Sequence, residues 1–587
     1  MKNYFAPLIF LLATLSCTVN SGKKLPETPF EQSNGQETAT YEQTIQLCEA
    51  FSSLSSQVQL KYIGKSAQGR PIPVLIVDKN KQFTPQEVRK SGKTVLLIQA
   101  NIHPGEPDGN DAGMLLLKKM ISEKRFPDHV TILFLPVFNP DGLARFNAYN
   151  RINQNGPKAM GWRTTAQNLN LNRDFVKAES PEMQAWLTFF HQWFPDMTID
   201  CHVTDGADYQ YVMTYVLHTY TPENSSLTQW KNNYLNFLTN TMDSSGFPMF
   251  PYVTFRNWHD PRSGIYSRPP RPLLSNGYVS VLNRIGLLLE AHSLKPFQQR
   301  VEATLACLEN TIDFLEKNHR SLLQAIATAD KETVNLDSIP LTFKTSPRCD
   351  TIDFKGVEYS PITSSITGGQ WFRYNPDQPK TFRIPYFSHI EPERIINIPE
   401  GYIFGPEWQF LKDRLDWHKI EYFQLQSDIC LSTKIWRLTG VEWNPQPFEG
   451  RFWLKKIDIH PDSSITTWPK GSIVVPTRQQ KLPLIVYMFE PYSPDSYLQN
   501  GFFNAIFERK EYFETYVMEP MAAAMFDSIP GLKEQFEQWK SENPNADQYK
   551  QLEWFYAKTP YYDNKLNLYP VGAIDKKELN KLLINKK

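Results

Sequence analysis

The run Val95-Leu96-Leu97-Ile98-Gln99-Ala100-Asn101-Ile102-His103-Pro104-Gly105-Glu106 decides how the first half of this chain is read. Residues 95–98 are short and wholly apolar, the texture of a strand buried on both faces. A tight turn follows. It carries a histidine and a glutamate separated by two residues, so both can aim at one point above the strand's carboxyl end, where α/β sheets place their sites. Imidazole nitrogen and carboxylate oxygen are good zinc ligands, at ~2.0–2.2 Å. Taken alone, the pair reads as a surface turn that happens to hold a histidine.

Outward from this run, apolar segments alternate with helical patterns. Residues 58–63 alternate, 64–70 supply turn chemistry and 73–77 resume as an apolar run, which predicts a β-hairpin. Residues 111–124 and 181–193 have helical spacing, with Pro181 and Glu182 suiting a first turn. Residues 130–137, 197–199 and 285–289 read as further strands, and 301–317 as a long amphipathic helix. The pattern predicts an α/β catalytic domain over 41–330, built on a mixed or mostly parallel sheet flanked by helices. Over 340–485 helical periodicity fades into short aromatic and β-branched runs broken by Pro and Gly, predicting a β-rich accessory domain, a small sandwich. Helical patterns return within 486–587, at 521–526 and 532–539.

The chain has 587 residues, 41% hydrophobic and 21% charged, enough for several globular domains. Its 62 basic and 62 acidic residues cancel, which removes the bulk electrostatic argument for nucleic acid as a partner. Lys2, the apolar stretch 5–15 and Ser16-Cys17 predict a bacterial export signal over 1–17. Thr14-Leu15-Ser16 before Cys17 is a loose lipoprotein cleavage box, so the expectation is a periplasmic or cell-surface protein lipid-anchored at Cys17. Residues 18–40 are polar and read as a flexible tether. No other segment is long and apolar enough to cross a membrane. Cys48, Cys201, Cys307, Cys349 and Cys430 are scattered without a Cys-x-x-Cys pair, so they form neither a disulfide framework nor a thiolate zinc site; one bridge stays open.

Two further signals complete a constellation. Asp200-Cys201-His202 follows the apolar run 197–199, so His202 can join His103 and Glu106 as a third ligand. Two histidines and one carboxylate leave a fourth position for water, the arrangement of a catalytic zinc site rather than a structural one. Glu290 ends the run 285–289, and a carboxylate placed directly after a buried strand is costly unless used. Beside a metal it can act as general base.

These motifs, in this order, resemble the M14 family of zinc carboxypeptidases over about residues 50–320. His103, Glu106 and His202 match that family's ligands for one zinc ion per chain. Asn139-Pro140-Asp141-Gly142 matches a typical turn, and 64–72 its opening hairpin. Trp162-Arg163 resembles the arginine that polarises the scissile carbonyl, Asn172-Arg173 the pair that binds the substrate's terminal carboxylate, and Glu290 with Gly286 the general base. The resemblance implies an eight-stranded mixed sheet and hydrolysis of a peptide bond at a C-terminus. Arg163 can present two donors to a developing oxyanion, and Arg173 can grip a carboxylate bidentately. Three features depart from the pattern. The family's mobile tyrosine has only Tyr278, or Tyr266, as a candidate; Asn170 stands where an aspartate usually orients a histidine ligand, with Asp200 as a substitute; and the segment between Arg163 and Asn172 is short. Two alternatives remain at this level: a peptidoglycan stem-peptide hydrolase using the same centre, and a binding protein with a degenerate peptidase half.

Overall fold

The computed structural model describes residues 24–257 and 260–584. Residues 1–17, on which the expectation of an export signal and of lipidation at Cys17 rests, lie outside the described residues. Eight strands form one sheet: β1 (Val58–Lys65), β2 (Pro71–Val77), β3 (Thr94–Gln99), β4 (Val130–Leu135), β5 (Met197–Thr204), β6 (Met213–His218), β7 (Met249–Pro251) and β10 (Ile285–His292), in the order β1-β2-β4-β3-β5-β10-β6-β7. The four central strands β4, β3, β5 and β10 run parallel, and antiparallel pairs flank them. β3, β4 and β5 are buried along their whole length, which is why their sequences are runs rather than alternations.

Period-two geometry then divides each strand between two cores. Leu96 and Ile98 pack with Leu116, Trp230, Val301 and Leu308 beneath the helices Asp108–Glu123, Ser226–Ser244 and Phe297–Thr333. Val95 and Leu97 face the other way, onto Trp186 and Tyr278 of the helices Pro181–Trp193 and Ser275–Val281. The helix Phe297–Thr333 outruns the expected 301–317. Its buried face resumes at Leu322, Ala325, Ile326 and Ala329 after the polar stretch 318–321 hides the period.

The tether expectation is corrected from residue 24 onward. The short helix Pro29–Gln32 buries Phe30 edge-on to Phe297 at 5.6 Å, and Lys118 pairs with Glu31 at 2.6 Å. Two capping boxes, Thr28/Glu31 and Thr40/Gln43, set the chain direction there; a polar composition conceals such local devices.

Among the described residues, no independent sandwich follows the catalytic sheet. β8 (Phe255–Asn257) and β9 (Asp260–Tyr266) leave the catalytic segment to pair with the long hairpin β12 (Asp350–Thr363) and β13 (Gln370–Phe387). β11 (Ser338–Thr345) pairs with β14 (Ile390–Asn397) in a two-stranded sheet. A six-stranded sheet takes β15 (Gly401–Phe404), β16 (Phe423–Gln424), β17 (Ile429–Trp443), β18 (Leu454–Trp468), β19 (Ile473–Pro476) and β20 (Val571–Ile574), in the order β16-β19-β15-β20-β17-β18. β20 sits inside that sheet, so it crosses the expected boundary at 485/486. Tyr402, Phe404, Trp436 and the wholly buried helix Leu482–Phe489 share one apolar core with Trp186 and Tyr278 of the catalytic part. The helices Thr515–Ser528, Leu532–Glu542 and Gln548–Tyr556 pack around a core of their own, at Phe536 and Phe555. Cys48, Cys201, Cys307, Cys349 and Cys430 are all free.

Candidate active site

The parallel register of β5 and β10 sets His202 directly beside Glu290 on the neighbouring strand. β3 ends one strand away, and its turn carries His103 and Glu106 over the same edge. Asn101 starts that turn with φ of 55°, a left-handed conformation that asparagine tolerates, and the Glu106 amide closes it onto His103 O at 2.8 Å. His103, Glu106 and His202 are buried, with one ligand atom from each lying within 4.8 Å of the others, and they are the one such group among the described residues.

Both imidazoles present the same nitrogen to the centre. Nδ1 of His103 lies 3.4 Å and Nδ1 of His202 3.0 Å from Glu106 Oε2. The far nitrogens face oxygens: His103 Nε2 meets Asn170 Oδ1 at 2.8 Å, and His202 Nε2 meets Asp200 Oδ2 at 2.8 Å. Acceptors at both Nε2 atoms keep the proton there and leave Nδ1 free to ligate. Asn170 therefore supplies by an amide oxygen the orienting contact that an aspartate usually gives, and Asp200, itself held by the Ser275 hydroxyl, serves the second histidine. Two imidazole nitrogens and a carboxylate converging in a buried pocket, each backed by an orienting partner, fit a zinc ion.

The charges are set by the same geometry. Burial opposes ionisation of Glu106, but His103, Arg151 and the two histidine hydrogen bonds hold it well below the ordinary carboxylate range. Enclosure in the cleft, with Glu106 and Asp200 nearby, pushes Glu290 up to about 8, while His202 and Arg163 pull it down. A carboxyl so placed accepts and returns a proton near neutral pH.

Arg163 reaches the centre through a relay of turns. Asp141 accepts from Ser66 Oγ at 2.6 Å, Gln68 N at 3.0 Å and Arg70 at 2.8 Å, tying the Asn139–Gly142 turn to the opening hairpin. Gly142 O then accepts the Trp162 amide at 2.7 Å, and the next residue, Arg163, lies 2.9 Å from Glu106 Oε1. Asn172 accepts the Ser275 amide through Oδ1 at 3.0 Å, which turns its Nδ2 toward His202. Arg173 lines the same cleft, its guanidinium braced on Asn172 O at 2.6 Å.

Tyr278 is a correction. It is fully buried, and its hydroxyl sits between His191 Nε2 and His418 Nδ1, each at 2.7 Å, so it neither lines the cleft nor can swing into it. Its aromatic ring completes the core between helix and sheet, a role that proximity in sequence to Glu290 does not distinguish from substrate binding. Tyr266 lies beneath Arg268 at 5.0 Å. The tyrosine in the cleft is Tyr252, whose hydroxyl is 3.1 Å from Thr204 Oγ1.

The sequence reading also misses Arg151, which pairs with Glu106 Oε1 at 2.9 Å, and the cleft residues Val216, Arg268, Arg271 and Asn276. Val216 stands opposite Leu288 in the β6–β10 ladder, giving the floor an apolar wall. Asn276 is 3% exposed and neither of its amide atoms has a hydrogen-bond partner, a buried donor and acceptor left for a ligand. No local motif marks these positions; pairing across strands brings them together.

Residues 44–254 match the family model of the M14 peptidases described as zinc carboxypeptidase, a segment that holds every residue above except Glu290 and the residues from 266 onward. The chain is 20% identical over 462 residues to carboxypeptidase 2 of Trichophyton rubrum, covering 74% of this chain and 79% of that one. Among solved structures it is similar to a metallo-carboxypeptidase from Pseudomonas aeruginosa in complex with (2-guanidinoethylmercapto)succinic acid, at 16% identity and TM-score 0.35 over 48% of this chain and 69% of that one. It is likewise similar to carboxypeptidase A from Helicoverpa armigera, at 16% identity and TM-score 0.34 over 50% of this chain and 74% of that one. The motifs that converge on a single cleft at the carboxyl ends of the mixed sheet thus lie in and after a domain, residues 44–254, that matches the M14 zinc carboxypeptidase model.

Proposed function

We propose that the protein is a metallocarboxypeptidase with one zinc ion per chain, releasing the C-terminal residue of a peptide. The observation that carries this reading is the meeting, in one cleft, of the His103–Glu106–His202 group, Glu290 at the register of His202, and Arg173. His103, Glu106 and His202 would hold the zinc ion, which would supply Lewis acidity toward the scissile carbonyl and a water. Glu290 takes the water's proton and delivers it to the leaving amine. Arg163, at the edge of the same centre, would donate to the developing oxyanion. Arg173 grips the terminal carboxylate, with Asn172 Nδ2 adding a directional hydrogen bond. Glu290→Gln should retain zinc and lose about 10³-fold in kcat on peptides with a free C-terminus. A variant hydrolysing at the wild-type rate would refute the assignment.

The cellular site is part of the same proposal. The signal-like residues 1–17 and Cys17 support export and lipid anchoring, with no nucleic-acid or obligate protein partner. Mass spectrometry of the mature N-terminus from a bacterial membrane fraction should find a diacylglyceryl Cys17. A mature chain starting elsewhere, or an unmodified Cys17, would exclude the anchor.

A further inference from the structure

The segment 170–180, which carries Asn172 and Arg173, has almost no secondary structure of its own. It holds one 3-10 turn, Leu171–Arg173, followed by buried irregular backbone. Buried carbonyls and amides need partners, and those that a loop of this kind does not find within itself must come from outside it. Asp174 accepts the Glu179 and Ser180 amides and Gln184 donates to Ala178 O, and further partners come from the C-terminal region. Val176 O accepts from His418 Nε2 at 3.2 Å and from the Tyr497 hydroxyl at 3.3 Å, and Lys177 O accepts from Arg414 Nε at 2.7 Å. Arg451 grips Glu179 through Nε at 2.8 Å and a terminal nitrogen at 2.7 Å, and its guanidinium lies 3.8 Å over the Phe502 ring, which fixes its direction. Glu449, at the turn joining β17 to β18, accepts the Asn170 amide at 2.8 Å.

Asn170 is the hinge of this arrangement. Its amide points out to Glu449, and its side-chain oxygen points in, to His103 Nε2 at 2.8 Å and to the Asn172 amide at 3.0 Å. A single residue thus joins the β17–β18 turn to a metal-ligating histidine and to the carboxylate-binding pair. On the opposite wall of the cleft, buried Asp495 holds Arg271 at 2.9 Å through Nε.

We propose that the C-terminal region is a working part of the active site, in which Glu449 and Arg451 are positioning residues acting through Asn170 and Glu179 on His103 and Arg173. The catalytic loop's inner face carries the chemistry and its outer face is built by the other half of the chain. The activity arm of the test rests on the carboxypeptidase reading; the zinc and exchange arms do not.

Both residues are partly exposed at a turn, so single substitutions in the full chain leave the core intact. Three full-length variants are compared with wild type: Glu449→Ala, Glu449→Gln and Arg451→Ala. Zinc affinity is read by chelator competition, amide exchange over 168–180 by mass spectrometry, and kcat and KM on peptides ending in a free acid or an amide. Glu449→Ala should weaken zinc and raise KM for the acid by about tenfold each, with the acid–amide preference shrinking accordingly. Exchange over 168–180 should accelerate in Glu449→Ala and Arg451→Ala, with melting temperature unchanged. Glu449→Gln should recover, because an amide oxygen accepts the Asn170 hydrogen bond. Unchanged zinc affinity, exchange and KM in Glu449→Ala would overturn the proposal. So would an equal loss in Glu449→Gln, which would make the charge rather than the hydrogen bond the active feature. If wild type cleaves no peptide acid, the carboxypeptidase reading falls, and zinc competition and exchange still decide the positioning role.

Discussion

Asn276 shows how a single residue can set what a cleft accepts. It lies beside Val216 and Leu288, buried, with both amide atoms unpaired. A polar ligand group can pair with this amide, whereas an apolar one that covered it would leave it unpaired at a cost of about 1–3 kcal/mol. The cleft's arginines favour a substrate end that is anionic or a hydrogen-bond acceptor. Asn276→Leu should therefore shift preference from polar toward apolar C-terminal residues, by about tenfold or more in the ratio of kcat/KM values. A peptide panel differing only at the last residue reads this directly, and an unmoved ratio would place the side-chain subsite elsewhere. The clustering of His103, Glu106 and His202 was legible in the sequence because a turn or strand end of a few residues fixes each of them. Asn276 was not, because its surroundings come from strands far away along the chain.

At the level of elements, the site depends on how closely a helix can approach β10. Gly286 lies where a Cβ would come within 2.7 Å of Asn276 O and 3.1 Å of Asn276 Cα, backbone that cannot yield without moving the helix Ser275–Val281. That helix supplies the Ser275 contacts to Asn172 and Asp200, and Asn276 itself. Gly286→Val should cost at least about 2 kcal/mol through overpacking. It should also impair catalysis beyond the loss of folded protein, measured as a lowered urea midpoint together with reduced kcat/KM in the folded fraction. Wild-type stability would show that the contact relaxes freely. The strands and helices that surround this junction follow their periodicity closely; the helix Pro181–Trp193 is found as expected. Departures fall where polarity interrupts a period, as at 318–321, or where local caps anchor a polar segment, as at 24–40.

Across the whole molecule, the two halves meet around a hydrogen-bonded group of His191, Tyr278 and His418. Burial drives His418 down to about 3 from an ordinary 6.5, with Val176 O opposing the shift. The folded state keeps this ring neutral while an unfolded chain protonates near 6.5, so the unfolded state binds the extra proton and stability falls as the pH drops below that value. Between about pH 6.5 and about pH 5, this one group removes on the order of 2 kcal/mol. His418→Gln should be less stable than wild type near neutrality and should narrow that gap on acidification. Urea midpoints at about pH 7 and about pH 5 test the sign; a gap that widens in acid would contradict it. The C-terminal half is thus joined to the catalytic half through a titratable, buried seam, and the β17–β18 turn extends the same junction to the edge of the cleft.

The sequence by itself determined the parallel centre of the sheet and the turn and strand-end positions of His103, Glu106, His202, Glu290, Arg163 and Arg173. Each of these is encoded within a few neighbouring residues, by burial period or by turn chemistry. Tertiary structure alone decided that Tyr278 belongs to the core, that Tyr252, Arg151 and Asn276 belong to the cleft, and that residues 401–574 build the outer face of the catalytic loop. Those outcomes depend on which distant strands pair and which carbonyls are left for a remote side chain to satisfy, and neither is written in the local pattern of the chain.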